Sequence, residues 1–452
     1  MEWTKRVRRR NQVVDTVVFL ALLTAVSAVT LVLFYRQTMG NPDSYHSDMK
    51  AYILEMQGLD SGYRFPYPVF FKIGALIHLF APPELSVAMA TMLLNSLGIV
   101  VTKLAFNRLA LGPLENGFQL GWSKGKKGNV TEGKCVQQER FDCSWLGGIV
   151  ISIGVVCLFF LSMLYPPQGI YLPGIRFRYL GVFTANPFHN ATYMAARPFA
   201  VLAFLWYVKL LAVYEGENHK GAVFKDYVLF SFFLLAATMT KPSFTLVMVS
   251  TAGLIMLYRL IGSGFRNFVP SIRLGLCFIP TFLDLLYQYQ GVFVPAEGEE
   301  GGLGFCFGEV WMQYTSNIVL AVGLAVGFPL LVLALNYKEC KKNTLFRFSW
   351  LFFLVSFAEA FLLYEKGFRK FDFNFSWGYM YGIFFCHFCA LLVLLWKTAE
   401  KMSGGGGQSQ DGGRFRSRIG TALLCFQWAA FFGHVICGLV YFKSIFGGAM
   451  YY

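Results

Sequence analysis

The chain has 452 residues, of which 56% are hydrophobic and only 14% are charged. Soluble globular proteins carry about 25% charged residues, so this composition excludes an ordinary soluble domain and indicates a protein with many membrane spans. The net charge of +14 would suggest nucleic-acid binding in a soluble protein, but here the basic residues follow a membrane topology, which argues against nucleic acid as a partner.

The apolar segments predict an all-α polytopic membrane protein with about 11 transmembrane helices, forming a single transmembrane domain over residues 1–452. The first segment, Val13 to Tyr35, exceeds the ~20 residues that a span needs and lacks a small-residue cleavage site, so we interpret it as a retained span. The predicted spans are 13–35, 85–107, 146–164, 198–214, 226–240, 244–260, 274–290, 316–336, 347–364, 377–396 and 419–442.

Lys and Arg residues concentrate before the first span and in alternate loops after it. The positive-inside rule therefore predicts a cytoplasmic N-terminus, in the cell membrane or, in a eukaryote, in the endoplasmic reticulum membrane. The polar loop 109–144 and the glycine-rich flexible linker 403–413 then lie on the cytoplasmic side. The ten cysteines show no disulfide framework.

The first outer loop, residues 36–84, contains two predicted juxtamembrane helices. The first runs from Asp48 to Gln57, with Ser47 as its N-cap, Asp48 in its first turn and Gly58 as its stop. Its apolar residues recur with helical spacing at Met49, Tyr52, Ile53 and Met56.

The second juxtamembrane helix is the apolar segment Pro68 to Phe80, which Pro82 and Pro83 terminate. It is shorter than the ~20 residues of a span, so we expect a helix in the membrane interface or a re-entrant segment. A full crossing would invert the side of every later loop and with it the charge bias.

Charged and hydrogen-bonding residues collect in the predicted outer loops. An anionic substrate group explains cations at this surface, where the positive-inside trend disfavours them; salt bridges to loop carboxylates, or contacts with lipid phosphate, are the alternative. For the acid of the first loop, the alternative is an ordinary first-turn carboxylate that gains from the helix dipole. The candidate residues are Asp48 in the first outer loop, Arg178, His189, Asn190, Tyr193 and Arg197 in the second, Lys241 in the third, and Glu365, Arg369, Asn374 and Trp377 in the last.

Four segments that contain these residues resemble those of a group of microbial multispan proteins, which is itself similar to the GT-C superfamily of membrane glycosyltransferases. The resemblance implies many spans, juxtamembrane helices and a catalytic carboxylate in the first outer loop, and a polyprenyl-phosphate sugar as donor on the non-cytoplasmic face. Unlike many members, this chain has no large soluble C-terminal domain, so we expect a glycan or lipid acceptor. The segments are Ser47-Asp48-Met49, residues 186–198, Thr240-Lys241-Pro242-Ser243 and residues 365–378.

The resemblance also implies roles for the candidates. Asp48 is the expected general base of an inverting transfer. Arg197, Lys241, Arg369 and Arg178 are the expected ligands of the donor phosphate. No nucleotide is expected, since the donor already carries its phosphate. Asp43, Asp48 and Asp60 are close enough in sequence for a divalent metal, but the resemblance implies transfer without a metal, so no cofactor is expected. The expected substrate-binding residues are His189, Asn190, Tyr193, Glu365, Asn374 and Trp377.

Two other function classes fit a multispan protein. A transporter or flippase of a lipid-linked saccharide is the main alternative, and a non-catalytic scaffold is the other. Transporters often contain internal repeats and interrupted helices near the middle of the membrane. The sequence shows no internal repeat, and its polar residues gather toward one face, which favours the transferase.

Overall fold

A computed structural model describes residues 2–41, 43–110, 145–165, 177–215, 224–292, 301–367, 369–402 and 412–449. Nearly all of the predicted cytoplasmic loop 109–144 lies outside these residues, as does the predicted linker 403–413 up to residue 411. The last two linker residues belong to the final helix instead.

The described residues form helices joined by short loops and one small sheet. A 3₁₀ turn covers Leu180–Phe183, and β1 (Leu303–Phe305) pairs antiparallel with β2 (Leu363–Glu365). The helices are α1 Glu2–Thr38, α2 Met49–Met56, α3 Pro68–His78, α4 Pro83–Leu109, α5 Trp145–Phe159, α6 Ala191–Glu215, α7 Phe224–Thr238, α8 Ser243–Gly262, α9 Phe268–Leu276, α10 Ile279–Val292, α11 Glu309–Met312, α12 Ile318–Ala325, α13 Gly327–Leu335, α14 Tyr337–Lys342, α15 Thr344–Leu362, α16 Ser376–Met402 and α17 Gly412–Phe446.

Within the described residues, seven helices are long and apolar enough to cross a membrane: α1, α4, α6, α8, α15, α16 and α17. The pairs α9–α10 and α12–α13 bend by 49° and 69° and raise the number to nine if each is one span. Helices α5 and α7 have 15 residues each, about 22 Å at 1.5 Å per residue, against a hydrocarbon core of about 30 Å. The all-α multi-pass class is thus confirmed, whereas the count of eleven stays a prediction.

Helix α16 forms the centre of the bundle. Its apolar stretch is fully buried, whereas the corresponding stretches of α1 and α17 are mostly exposed, as expected of helices that face lipid. Aromatic rings fill the space around α16: Phe385 stacks on Phe204 of α6 with 3.9 Å between ring centroids. Tyr381 donates a hydrogen bond to the carbonyl of Tyr193, at 3.0 Å, and so joins α16 to α6.

The chain that follows α5 runs against α17 without regular structure. Within it, Ser162 is held by His434, whose carbonyl accepts from Ser162 N at 3.3 Å and whose Nδ1 lies 2.7 Å from Ser162 O. Leu164 N donates to the carbonyl of Leu324 at 2.9 Å. His434 Nε2 also accepts from Phe328 N at 3.1 Å, at the bend between α12 and α13. Irregular backbone at membrane depth needs such internal partners, so this buried histidine stabilises two interruptions at once.

The two predicted juxtamembrane helices are present as α2 and α3. Helix α2 begins at Met49, so Asp48 is its N-cap residue and not part of its first turn as expected, and the Asp48 side chain makes no capping bond. Gly58 follows the helix with φ +72°, as the stop signal predicted. Both helices pack on α1, α4 and α6 through one apolar cluster, which contains Phe34, Met49, Tyr52, Met56, Phe70, Phe71 and Ala195.

One end of the bundle gathers the first outer loop, the turn between α7 and α8, the paired strands and the C-terminus. Val69 N donates to Met239 O at 3.0 Å, and Tyr45 N donates to Gly448 O at 3.0 Å. The sheet aligns Leu303 with Glu365 at the same end. We call this end the site end, because Asp48, Lys241 and the candidate residues from Glu365 to Trp377 lie on or beside the elements that meet here.

Candidate functional site

A carboxylate and an ammonium group at the site end are joined by one amide. Asn190 Nδ2 donates to Asp48 Oδ2 at 2.8 Å, and Asn190 Oδ1 accepts from Lys241 Nζ at 3.0 Å. Because an amide donates at one atom and accepts at the other, Asn190 satisfies both charges without itself being charged. The structure thus brings together residues from three separate loops, all of which the sequence predicts to be outer loops.

Local structure fixes each member of this network. Asn190 precedes α6, and its Oδ1 also accepts from Tyr193 N at 3.0 Å, which is the hydrogen bond of a helix N-cap. The preceding turn is held by Gln37 of α1, whose Nε2 donates to Phe188 O at 2.9 Å. Lys241 lies in the tight turn between α7 and α8, where Lys241 N donates to the carbonyl of Ala237, at 2.9 Å.

Tyr52 and Thr192 complete the hydrogen bonding. Tyr52 donates its hydroxyl to Asp48 Oδ2 at 3.1 Å, and the same hydroxyl lies 3.1 Å from Thr192 Oγ1. Burial and, to a lesser extent, the charge of Asp48 raise the pKa of Tyr52. The phenol therefore stays protonated and donates a hydrogen bond to the carboxylate. Asp48 itself is exposed.

Lys241 is 8% exposed, and its Nζ lies 4.6 Å from the centre of the Trp377 ring, in cation–π contact. Burial lowers the pKa of Lys241 to about 8, with Arg369 also lowering it and Asp48 and Glu365 opposing the shift. Burial and the nearby Lys241 lower the pKa of His189 to about 3. His189 is therefore neutral at physiological pH, and its ring packs against Trp377 at 5.5 Å.

A cavity of about 430 Å³ opens beside Lys241 between α8, α10, α15 and α16. Its rim is polar and its walls are mostly apolar, with Ser250, Gln288 and Glu359 as polar wall residues. The side chains of two apolar wall residues, Leu246 and Phe282, are exposed on the outside of the bundle. Such a cavity suits an amphiphile with an anionic head group. The rim contains Arg64, Lys241, Glu365, Arg369, Asn374 and Trp377, and the walls contain Leu246, Val249, Phe282, Leu285 and Leu363.

Hydrogen bonds and ion pairs order the rim. Arg369 Nε lies 3.2 Å from Asp372 Oδ2 and 3.6 Å from Glu365 Oε2. Asn374 donates to Glu365 Oε2 at 2.8 Å, and Trp377 Nε1 donates to Asn374 Oδ1 at 3.3 Å. The Arg369 charge is thus partly balanced by the protein, while its side chain still borders the cavity.

Six of the predicted site residues do not line this cavity. Asn190 and His189 adjoin it through their contacts with Lys241 and Trp377, and Asp48 adjoins it through Asn190. The side chains of Arg197, Arg178 and Tyr193 belong neither to the cavity lining nor to the hydrogen-bonded network of Asp48, Asn190 and Lys241, which differs from the grouping expected from the sequence. The Arg197 guanidinium is buried within the bundle, where it donates to Asn186 Oδ1 and to the carbonyl of Ala185. Arg178 is exposed and lies over the Tyr314 ring at 5.8 Å.

Tyr193 is the third of these residues. It is fully buried, and its ring packs on Tyr381 at 4.5 Å and on Trp377 at 5.6 Å. These positions suit support of the site better than contact with a substrate. Arg197 and Arg178 likewise do not share a phosphate-sized space with Lys241 and Arg369.

The predicted site residues do not include two tyrosine hydroxyl groups and one further acid that lie at the site. Tyr52 fits the apolar stripe of α2, and only the fold shows that its hydroxyl reaches Asp48. Tyr67 lines the cavity, and burial, together with Asp48, raises its pKa. Glu359 also lines the cavity, below the rim. Its polar character inside an apolar helix was the available signal.

Among the residues that the structure describes, no group of three or more His, Cys, Asp and Glu side chains is arranged to hold a metal ion. Comparison of the chain with protein-family models, with curated proteins and with solved structures finds no match. The function is therefore inferred from the chemistry of the site end.

Proposed function

We propose that this protein is a membrane glycosyltransferase that moves a sugar from a polyprenyl-phosphate donor to a hydroxyl group of a glycan or lipid acceptor, with inversion at the anomeric carbon. One observation carries the proposal. An exposed carboxylate, Asp48, is coupled through the Asn190 amide to Lys241, which borders a cavity with a cationic rim and apolar walls.

Asp48 acts as the general base. It takes the proton of the acceptor hydroxyl as that oxygen bonds to the anomeric carbon, and the carbon–oxygen bond to phosphate breaks with its electron pair leaving on the phosphate. Asn190 and Tyr52 both bind Asp48 Oδ2. Among the described residues Oδ1 receives no hydrogen bond, so it is the atom that takes the proton. A positioned base contributes about 10²–10⁴-fold in rate.

Lys241 and Arg369 bind the donor phosphate. Both side chains border the cavity, and fixed cations stabilise the negative charge that develops on a phosphate leaving group. The apolar walls take the first part of the polyprenyl chain, whose burial contributes roughly 25 cal/mol per Å². The sugar hydroxyls are bound by Asn374 and Glu365, and the sugar ring stacks on Trp377. The His189 ring packs against Trp377 and so fixes its position.

The deciding experiment compares purified wild-type protein with Asp48→Asn, which is nearly isosteric. Radiolabelled polyprenyl-phosphate sugars are offered with extracted membrane glycolipids and glycans as acceptors. We expect transfer by the wild type and a loss of at least 100-fold in Asp48→Asn. Asp60→Asn is the matched control, because Asp60 is an exposed acid of the same loop whose described side-chain bond is a local one to Gly62 N; this variant should keep full activity. If Asp48→Asn is as active as the wild type, Asp48 is not the general base.

A second candidate function is a flippase of a lipid-linked saccharide. The bent pairs α9–α10 and α12–α13 favour it, because interrupted helices are typical of transporters. Sealed proteoliposomes with a fluorescent polyprenyl-phosphate sugar discriminate the two candidates. Translocation by the wild type without transfer to any acceptor would select the flippase.

A further inference from the structure

A second, much smaller cavity lies deeper in the bundle than the proposed transfer site. Its volume is about 10 Å³, and it is enclosed by α4, α5, α6 and α16, which is room for one species of about the size of a water molecule. Three polar side chains line it: Asn95 and Thr102 from α4 and Arg197 from α6, among apolar neighbours such as Phe384 and Leu158. The Thr102 hydroxyl donates to the carbonyl of Gly98 at 2.8 Å, which leaves Asn95 and Arg197.

Asn95 and Arg197, which line this cavity, both have buried polar atoms without a hydrogen-bond partner among the described residues. Asn95 is 4% exposed, and neither its Nδ2 nor its Oδ1 has a hydrogen-bond partner. Arg197 is 5% exposed, and its Nε lacks a partner as well. Buried polar atoms are nearly always hydrogen-bonded, so three such atoms around one small cavity point to a ligand.

The charge of Arg197 indicates the kind of ligand. Its other nitrogens donate to the neutral oxygens of Asn186 and Ala185, and the neutral Tyr193 side chain also interacts with the guanidinium. No described carboxylate forms an ion pair with Arg197. Its guanidinium carbon lies 4.4 Å from the centre of the Phe384 ring, and this cation–π contact offsets only part of the cost of burial.

Two other largely buried cations of the helices, Lys103 and Lys209, are each paired with a carboxylate. Lys103 lies 2.9 Å from an Asp15 carboxylate oxygen, and Lys209 lies 2.6 Å from Asp226. A buried charge inside a membrane protein is expected to have such a counter-ion. Arg197 is the described exception, and its guanidinium borders a cavity.

We propose that this cavity binds one small monovalent anion, chloride under ordinary conditions, held by the N–H groups of Arg197 Nε and Asn95 Nδ2. The anion neutralises Arg197 in place of a carboxylate. Because Arg197 also holds the chain at residues 185 and 186, just before the turn that carries Asn190, the anion stabilises the support of the site end. This binding does not depend on sugar transfer.

The test measures the thermal unfolding midpoint of the purified protein in detergent, with sodium chloride replaced stepwise by sodium gluconate at constant ionic strength. We expect a saturable rise of about 2–4 °C with chloride. Asn95→Asp places a carboxylate beside Arg197 and should make the midpoint independent of chloride. Arg197→Gln removes the charge and should abolish the rise. Arg369→Gln, which removes a cation of the proposed phosphate site, is the matched control and should keep it.

An equal midpoint of the wild type in both salts would overturn the proposal and leave a neutral water as the occupant. A full chloride response in Asn95→Asp or in Arg197→Gln would overturn it too. If Arg197→Gln fails to fold, Asn95→Asp decides alone. Crystals grown with bromide give a second readout, since the proposal requires an anomalous peak between Asn95 and Arg197.

Discussion

At the residue scale, Asn190 is the link between the charged groups of the site. Its amide nitrogen donates to Asp48 at 2.8 Å, and its amide oxygen accepts from Lys241 at 3.0 Å. The amide thus lies between the carboxylate and the ammonium in place of a direct ion pair. A direct pair would tie up the charge that each group needs for a substrate. The neutral bridge leaves Asp48 able to take a proton and Lys241 able to bind phosphate.

Lys241 gives the site a pH dependence. Burial places its folded-state pKa at about 8, so the ammonium is present below that pH and is lost as the pH rises through it. We expect the dissociation constant for polyprenyl phosphate to increase about tenfold between pH 7 and pH 9, because protonation falls tenfold for each unit above the pKa. Binding can be followed by tryptophan fluorescence, since Trp377 contacts Lys241.

Lys241→Arg is the control for this experiment. A guanidinium keeps its charge over the whole range, so the variant should bind with little change between pH 7 and pH 9. Wild-type affinity that stays constant up to pH 9 would show that the Lys241 ammonium does not hold the phosphate.

At the element scale, α17 shows how a peripheral helix constrains the centre. A Cβ atom built on Gly438 would collide with the backbone carbonyl of Phe160, in the chain that follows α5. The same chain is held by His434 of α17. The carbonyls of Leu158 and Leu161, next to this stretch, accept hydrogen bonds from Asn186 Nδ2 at 2.9 and 3.4 Å. The close approach of α17 thereby supports the loop that carries the site.

Gly438→Ala should therefore destabilise the protein, because overpacking against backbone costs about 1–3 kcal/mol or more. We expect a clear fall in the thermal unfolding midpoint in detergent. Gly420→Ala in the same helix is the matched control: its Cβ would meet no atom within 4 Å, and alanine favours a helix by up to about 1 kcal/mol over glycine. Equal midpoints for the two variants would contradict the close contact.

At the scale of the whole molecule, the proposed orientation puts the site end on the non-cytoplasmic side. Asp60 lies in the first outer loop and Lys341 lies in α14, and both are exposed. With the positive-inside orientation, a membrane-impermeant maleimide should label Asp60→Cys in intact cells, and Lys341→Cys only after permeabilisation. The unsubstituted chain supplies the background from native cysteines. Labelling of both positions in intact cells would contradict the topology.

Much of the candidate site was predictable from the sequence because polar residues beside apolar spans are rare and costly. This reasoning identified Asp48, Asn190 and Lys241, which the fold joins by hydrogen bonds, and the rim residues of the last outer loop. It misplaced Arg197 and Arg178, because sequence position does not reveal whether a guanidinium near a helix end turns toward a cavity or into the bundle. It also missed the Tyr52 hydroxyl, which contacts Asp48 from an otherwise apolar helix face.

The sequence by itself determined that this is an all-α multi-pass membrane protein with short helices in the loop after its first span, since hydrophobic length and period are local properties of the chain. Only the tertiary structure decided which polar residues meet. Asp48 and Asn190 are far apart in the sequence, yet Asn190 Nδ2 lies 2.8 Å from Asp48 Oδ2. Arg197 borders a different cavity from Lys241. Such contacts depend on how helices pack and bend, which arises from many side chains acting together and not from any one segment.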